Sequence, residues 1–273
     1  MANSEQIAQQ VAQEILEAWA ARRPIASLVA RIPGFGLDEA YQVTAALRRL
    51  RAARGERPIG RKIGFTNRTI WAEYQVFAPI WGDMYATTLQ ETDGKASLDL
   101  APYLEPRLEP EVAFGLARAP APGMDEAALL GCIGWVAHGF EIVHSLFPGW
   151  RFAAADTVAA FALHGAYRMG PRVPIDRMSA SGWLAALTQF EISLYRDEVL
   201  VDRGRAADVL DGPLSALRHL NDLLATDNHN PPFAAGEIIT TGTVTRAFPV
   251  EPGQTWRTEL HGINLPPMMI RFT

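Results

Sequence analysis

Glutamates inside otherwise apolar runs constrain this chain most, because a fold that buries those runs must give each carboxylate a partner. Glu109 and Glu111 lie two apart in LEPRLEPEVAF, where apolar and polar residues alternate as in a β-strand. Strand side chains alternate between faces, so both carboxylates leave the chain on one side, flanked by residues that read as core. Glu141 lies in WVAHGFEIV, a second strand-like run with few polar residues. The pattern alone leaves two readings open. An exposed strand face would also carry Glu-x-Glu, and Glu105 is then an equal candidate. A buried cluster would need a divalent cation to remove the repulsion between the carboxylates. With no paired-His motif and no Cys nearby, oxygen ligation suits Mg²⁺ or Mn²⁺ better than Zn²⁺.

The rest of the chain supplies helices at the start and strands thereafter. Ile7, Val11, Ile15 and Trp19 recur at helical spacing behind Asn3 or Ser4, either of which can cap the helix. After RIPGFG, Asp38 opens a second helical pattern that Gly55 ends and Pro58 follows. From Ile59 the character changes to short strands in IGRKIGFTN, RLEPEVAFGLA and WVAHGFEIVHS. QFEISLYRDEVLVDRG reads as a hairpin turning near Arg196 and Asp197. DGPLSALRHLNDLLA reads as a helix with Pro213 in its first turn, and GEIITTGTVT and WRTELHGINLPPMMIRF close the chain as strands. Many strands, few helices and no internal repeat predict a mainly β or mixed α+β fold rather than a βαβ fold.

Composition excludes several classes. With 273 residues, 48% of them hydrophobic, the chain can bury the core of one large or two small domains. Its formal charge is −5 and no basic run is long enough to track a phosphate backbone, so no nucleic-acid partner is expected. The most basic stretch, Arg48 to Arg61, is expected to be the solvated face and end of a helix. The one cysteine, Cys132, sits in LLGCIGWVA as a small buried side chain and allows no internal disulfide. The polar, acidic N-terminus does not read as a signal peptide, and no apolar run reaches membrane length. A soluble cytoplasmic protein is expected.

The segments GRKIGFTN, LEPEVAF, GFEIVHS and GEIITTGTV, in this order, resemble the hydratase and decarboxylase branch of the fumarylacetoacetate hydrolase superfamily. The resemblance covers nearly the whole chain, including the AYQV segment of the helical opening and the stretch from Lys62 through Pro79 and Gly82. It implies a mainly β mixed roll over residues 96–273, preceded by an N-terminal helical and mixed cap region over residues 1–95. It implies Mg²⁺ or Mn²⁺ held by Glu109, Glu111 and Glu141, with Lys62 as the active-site lysine. Thr241 and Gly242 match the segment that contacts the substrate carboxylate. It implies a lyase that hydrates a small unsaturated 2-oxo acid, of the 2-oxopent-4-enoate hydratase type found in aromatic meta-cleavage. A homo-oligomer is expected, with association with a related enzyme conceivable.

Departures from the family pattern bear on the substrate. Hydratases of this branch tend to read EIVDSR and DTVADNASSGG where this chain reads EIVHSLFPGW and DTVAAFALHGAY. His144 and Leu146 replace an acidic residue and an arginine, and Ala160, Phe161 and Leu163 replace polar residues. Phe161, Leu163 and His164 are therefore expected near the substrate, in a more apolar distal pocket that Trp71 and Phe77 could extend. His138, His144 and His164 are candidates for a relocated acid or base, or for satisfied core residues. Decarboxylation of a 4-oxalocrotonate-like diacid and hydrolysis of an acylpyruvate remain alternatives. So does a catalytically idle binding subunit.

Overall fold

A computed structural model describes residues 4–74, 76–175 and 180–273. The chain opens with the helices α1 (Ser4–Ala20), α2 (Leu28–Arg31) and α3 (Leu37–Ala53). Val11, Ile15 and Leu16 of α1 are buried with Val43, Ala46 and Leu47 of α3 in one apolar cluster, as the helical spacing predicts. Ser4 is the first residue of α1, and Asn3 lies outside the described residues. α3 starts one residue before Asp38, and the Glu39 carboxylate accepts from the Gly36 N–H at 2.9 Å. Gly55, at φ +80°, ends α3 in the left-handed conformation that glycine adopts most easily.

Strands then follow: β1 (Pro58–Gly64), β2 (Ile80–Tyr85), β3 (Leu89–Glu91), β4 (Lys95–Leu98), β5 (Arg107–Leu116), β6 (Ile133–Val143), β7 (His164–Met169) and β8 (Val173–Pro174). The short helices α4 (Trp71–Tyr74), α5 (Glu126–Leu130) and α6 (Ala154–Ala159) interrupt them. After α7 (Ala180–Gln189) come β9 (Glu191–Arg196) and β10 (Val199–Arg205), the expected hairpin, turning at Asp197 and Glu198 with φ +47° and +64°. α8 (Pro213–Ala225) starts at Pro213, and β11 (Ile238–Thr243), β12 (Phe248–Pro249), β13 (Thr255–His261) and β14 (Met269–Phe272) complete the chain.

The larger sheet has nine strands, in the order β2-β1-β11-β5-β6-β7-β3, with β12 beside β5 and β8 beside β6. β1 runs parallel to β11, and β5 and β6 pair antiparallel at the centre. The second sheet has the order β10-β9-β13-β14-β4. Leu108, Phe140 and Ile142 of the first sheet pack against Leu194, Trp256, Ile270 and Phe272 of the second. Another core joins Ile63, Val112, Phe114 and Ile239 to Leu187 of α7 and to Leu217 and Leu220 of α8. Leu108, Val112 and Phe114 share the face of β5 opposite Glu109 and Glu111, so the second sheet and the helices α7 and α8 together cover that face and exclude water from it.

Two expectations change on this frame. β1, β2 and β3 all precede residue 96 and are strands of the large sheet, so the division at 95/96 cuts through that sheet. The arginines between Arg48 and Arg61 do not form one solvated face. Arg48 pairs with the buried Asp83 at 2.6 Å, Arg51 lies 3.7 Å over the Tyr85 ring and pairs with Glu56, and Arg61 is buried beside Glu237 at 3.5 Å. Arg48 and Arg51 tie α3 to β2, and Arg61 ties β1 to Glu237 just before β11, because each inward guanidinium meets a carboxylate or a ring. No helix among the described residues is long and apolar enough to cross a membrane.

Candidate metal centre and substrate cleft

The antiparallel register of β5 and β6 sets Glu109 opposite Glu141 and Glu111 opposite Gly139. Directly opposed residues stand close, and a residue two further along shares their face. Glu-x-Glu and a glutamate thirty residues distant thus become one cluster, in which a carboxylate oxygen from each lies within 4.8 Å of the others. Glu111 and Glu141 are fully buried, whereas Glu109 keeps part of its surface on a cleft. Glu105, the other candidate from sequence, is exposed and accepts from the Gly149 N–H at 2.9 Å instead.

Each buried carboxylate is oriented by a different element. Gly242 on β11 donates its N–H to Glu111 Oε2 at 3.0 Å, and Glu111 Oε1 has no hydrogen-bond partner. His164, the first residue of β7, places Nδ1 2.7 Å from Glu141 Oε1 and Nε2 2.8 Å from the Thr88 hydroxyl. A neutral imidazole donates Nδ1–H to the carboxylate, with Nε2 beside the Thr88 hydroxyl, which itself donates to the Tyr85 carbonyl at 3.0 Å. Lys62 on β1 holds its Nζ 3.1 Å from Glu141 Oε2 and donates to the Ala162 carbonyl at 3.1 Å.

That carbonyl is delivered by unusual backbone. Phe161, Ala162 and Leu163 all have positive φ, at 58°, 50° and 66°, which costs non-glycine residues free energy and persists only where packing enforces it. Gly82 on β2 makes the space, because a Cβ there would stand 2.6 Å from the Phe161 carbonyl oxygen. The left-handed turn aims Ala162 O at Lys62 and brings Leu163 to the cleft.

The electrostatics of the cluster are those of a site short of positive charge. Burial lifts Glu109 to about 7, with the Glu141 charge adding to the rise and Lys62 opposing it. Burial, then Glu141 and Glu109, push Glu111 well above the usual carboxylate range. Burial acts on Glu141 too, but Lys62 and the His164 hydrogen bond outweigh it and hold this group at about 2. Burial alone would lower the Lys62 ammonium, and the surrounding carboxylates keep it above its ordinary value. One ammonium does not neutralise three buried carboxylates. The unpartnered Glu111 Oε1, the all-oxygen donor set and the oxygen spacing fit a hard divalent cation.

A narrow cleft, open to solvent at its mouth, lies beside Glu109. Among the described residues its charged lining is Lys62 and Glu109. Thr66, Asn67 and Thr243 add polar groups, and the buried Thr66 hydroxyl has no hydrogen-bond partner. Ile70, Val143, Trp150, Phe152, Leu163 and Ala247 supply apolar surface.

Of the residues expected near substrate, Lys62, Leu163 and Gly242 line this cleft. Phe161 instead packs its ring on Trp19 and Tyr85 in the helical core, because the left-handed turn sends it to the side opposite Leu163. Thr241 donates its hydroxyl to Val112 O at 3.0 Å inside the sheet, and His164 stands behind Glu141. Trp71 donates to the Phe65 carbonyl, and Phe77 is 63% exposed, so neither lines the cleft. His138 is a satisfied core residue, 2.9 Å from Glu111 O and from the Thr258 hydroxyl. His144 is buried against Trp19 and Tyr103. Sequence reasoning missed Thr66, Ile70, Trp150 and Phe152. Thr66 was in view within GRKIGFTN, and the density of aromatics in LFPGWRF was the other available signal.

The fold and site define a mixed β-roll protein with a buried tri-glutamate centre at the head of a narrow cleft. No protein-family model matches the chain. It is 30% identical to a 2-hydroxyhexa-2,4-dienoate hydratase of Comamonas testosteroni over 252 residues, 92% of each chain. It is 29% identical to a 2-keto-4-pentenoate hydratase of Burkholderia vietnamiensis, over 93% of each. Among solved structures, 4-oxalocrotonate decarboxylase from Pseudomonas putida G7, complexed with magnesium and adipate, superposes with a TM-score of 0.88 at 25% identity, covering 100% of this chain and 99% of that one. The chain belongs to the hydratase and decarboxylase branch of the fumarylacetoacetate hydrolase superfamily.

Proposed function

We propose that this protein is a divalent-metal-dependent hydro-lyase that adds water to a small unsaturated 2-oxo acid. The β5–β6 register carries the reading, since it makes Glu109, Glu111 and Glu141 one buried ligand set. The hydratase relatives, similar over more than nine tenths of the chain, support the same reaction class. Glu109, Glu111 and Glu141 would hold Mg²⁺ or Mn²⁺. When bound, such an ion supplies electrostatic stabilisation of negative charge at the substrate's 2-oxo oxygen.

The chain's own groups then have distinct tasks. Lys62 has three N–H donors; one meets Ala162 O and one faces Glu141, which leaves a third for the substrate's carboxylate or 2-oxo oxygen. Its ammonium also balances the acid's charge in a site where burial would otherwise repel an anion. The Thr66 hydroxyl, buried and unpartnered, offers a hydrogen bond to the carboxylate or to the attacking water. His164 keeps the Glu141 carboxylate fixed while Gly242 does the same for Glu111. In the overall reaction a 2-hydroxy-2,4-dienoate loses its enol proton and gains a proton at C5. Water oxygen then bonds to C4, and a proton ends at C3, so one water is added and nothing is oxidised.

The measurement is the decay of ultraviolet absorbance of freshly generated 2-hydroxypenta-2,4-dienoate, with Mg²⁺, Mn²⁺ or EDTA, and product mass determined. Metal-dependent decay to a product one water heavier, lost in Glu109→Ala, is expected. Intact substrate in the presence of bound metal would refute this substrate assignment. A second reading is decarboxylation of a diacid, favoured by the TM-score of 0.88 to 4-oxalocrotonate decarboxylase. A product lighter by carbon dioxide would establish it. Homo-oligomeric assembly and a cytoplasmic location belong to the same reading and rest on the family resemblance.

A further inference from the structure

We infer that the cleft selects a monocarboxylic 2-oxo acid bearing a bulky hydrocarbon tail, and that Trp150 and Phe152 are the residues that select it. The inference rests on the reading of the site as one that binds 2-oxo acids, and deepens it.

The cleft is chemically two-sided. Lys62, Glu109 and the unpartnered Thr66 hydroxyl offer groups for a carboxylate and a 2-oxo oxygen. Val143, Trp150 and Leu163 form a separate apolar cluster, with Phe152 packed against it, and all four line the cleft. An acid whose polar head takes Lys62 has only hydrocarbon to meet at this wall. A short acid would leave the wall hydrated, whereas each methylene that covers it strengthens binding about fourfold. A second carboxylate at that end would be desolvated without a cation, since Lys62 is the only cationic side chain among the described lining residues. Arg107 is near, 4.0 Å over the Trp150 ring, but does not itself line the cleft.

The wall is also held in place, which a selecting surface requires. Trp150 donates its indole N–H to the Glu105 carbonyl at 3.1 Å, and the Glu105 carboxylate accepts from Gly149 in the same loop. Phe152 lies between rings, with centroids 6.0 Å from Trp150, 6.3 Å from Phe65 and 6.3 Å from Phe147. Trp150 is itself at φ +57°, so the ring's position is enforced against local backbone preference. A fixed wall of this kind neither collapses onto a short substrate to expel water nor retreats to admit a counter-ion beside a diacid.

The test is kcat/KM of the metal-loaded wild-type protein for 2-hydroxydienoates carrying hydrogen, methyl, isopropyl or phenyl at C5, and for the C6 dicarboxylate. The selectivity ratio should rise at least tenfold from hydrogen to isopropyl or phenyl, with the dicarboxylate at least a hundredfold below the branched acid. In Trp150→Ala and Phe152→Leu, checked for folding by circular dichroism, the ratio should fall back by about tenfold. A flat series, a preference for the unsubstituted acid, or turnover of the dicarboxylate matching the branched acid overturns the inference while leaving the hydratase reading intact. Tail selectivity unchanged in both folded variants removes Trp150 and Phe152 from it. No turnover of any member overturns the underlying reading and the inference with it.

Discussion

Asp156 joins the helical opening to α6 beside the site, and its removal gives a graded stability test. The side chain is fully buried, and each oxygen serves two donors. Oδ1 accepts from Leu28 N at 2.7 Å and Val29 N at 3.1 Å, and Oδ2 accepts from the Ser27 hydroxyl at 2.8 Å and Ala153 N at 2.9 Å. The one carboxylate therefore caps α2 and α6 together. In Asp156→Ala the Leu28 N–H is left buried and unmet, at about 1–3 kcal/mol. The Ala153 N–H is only partly re-solvated, while Ser27 and Val29 lie nearer to water and regain much of their bonding. The lost cap of α2 is these same bonds, and adding the lost cap of α6, about 0.5–2 kcal/mol, gives a total of about 2–5 kcal/mol. Asp156→Asn keeps one acceptor oxygen and should cost about 2 kcal/mol, and Ser27→Ala under about 1 kcal/mol. Urea unfolding followed by tryptophan fluorescence, with m-values compared, measures all three. A midpoint for Asp156→Ala within about 1 kcal/mol of wild type, or a Ser27→Ala cost equal to it, would refute the reasoning.

Two further outcomes follow from other parts of the site. Gly242 has φ +97°, and a Cβ there would stand 1.9 Å from the Thr66 hydroxyl oxygen. Gly242→Ala should therefore cost about 2–4 kcal/mol from strain and overlap together, whereas Gly253→Ala, at φ +90° in open space, should cost about 1 kcal/mol; equal melting temperatures for the two variants would show the Thr66 contact to be irrelevant. Burial, with the His164 charge adding, lowers His144 to about 3 from its ordinary 6.5. The unfolded chain therefore binds the extra proton between those values, so this contribution to stability is complete above pH 6.5 and is lost as pH falls. At pH 5 the loss is about 2 kcal/mol relative to pH 8, and His144→Asn should flatten the pH dependence of the urea midpoint by that amount; an unchanged slope would mean that His144 takes up its proton without unfolding.

The parts of the fold legible in sequence were those set by local periodicity. α1, α3, α8, the β9–β10 hairpin and the strands holding the glutamates follow from spacing and turn residues, because their burial pattern repeats along the chain. The glutamate face was legible for the same reason, but the approach of Glu141 was not, since it depends on the register between β5 and β6. The grouping of Glu141 with Glu109 and Glu111 came from the family resemblance, as did Lys62, Thr241 and Gly242. The direction of Phe161 was illegible because three consecutive left-handed residues are not foreshadowed by Phe-Ala-Leu, and only tertiary packing against Gly82 makes them tolerable. The inward turn of Arg48, Arg51 and Arg61 escaped likewise, because their partners Asp83, Glu56 and Glu237 declare themselves only in space. Trp150 and Phe152 lie in a loop with no period to read.

The helical opening then has a physical relation to the site that its distance in sequence conceals. α6 ends at Ala159, and the left-handed turn of Phe161–Leu163 begins two residues later, so whatever fixes α6 fixes the carbonyl that Lys62 engages. Asp156 fixes α6 to α2, Phe161 is clasped by Trp19 of α1 and Tyr85 of β2, and Arg51 of α3 lies 5.2 Å over the Phe161 ring. A turn of this kind is strained by itself and stable only inside that clasp. The helices therefore set the placement of Ala162 O and Leu163, and with them the Lys62 ammonium between carbonyl and carboxylate. Loosening the clasp should disturb the polar end of the cleft before it disturbs the glutamates, which the β5–β6 ladder and the Gly242 N–H hold independently.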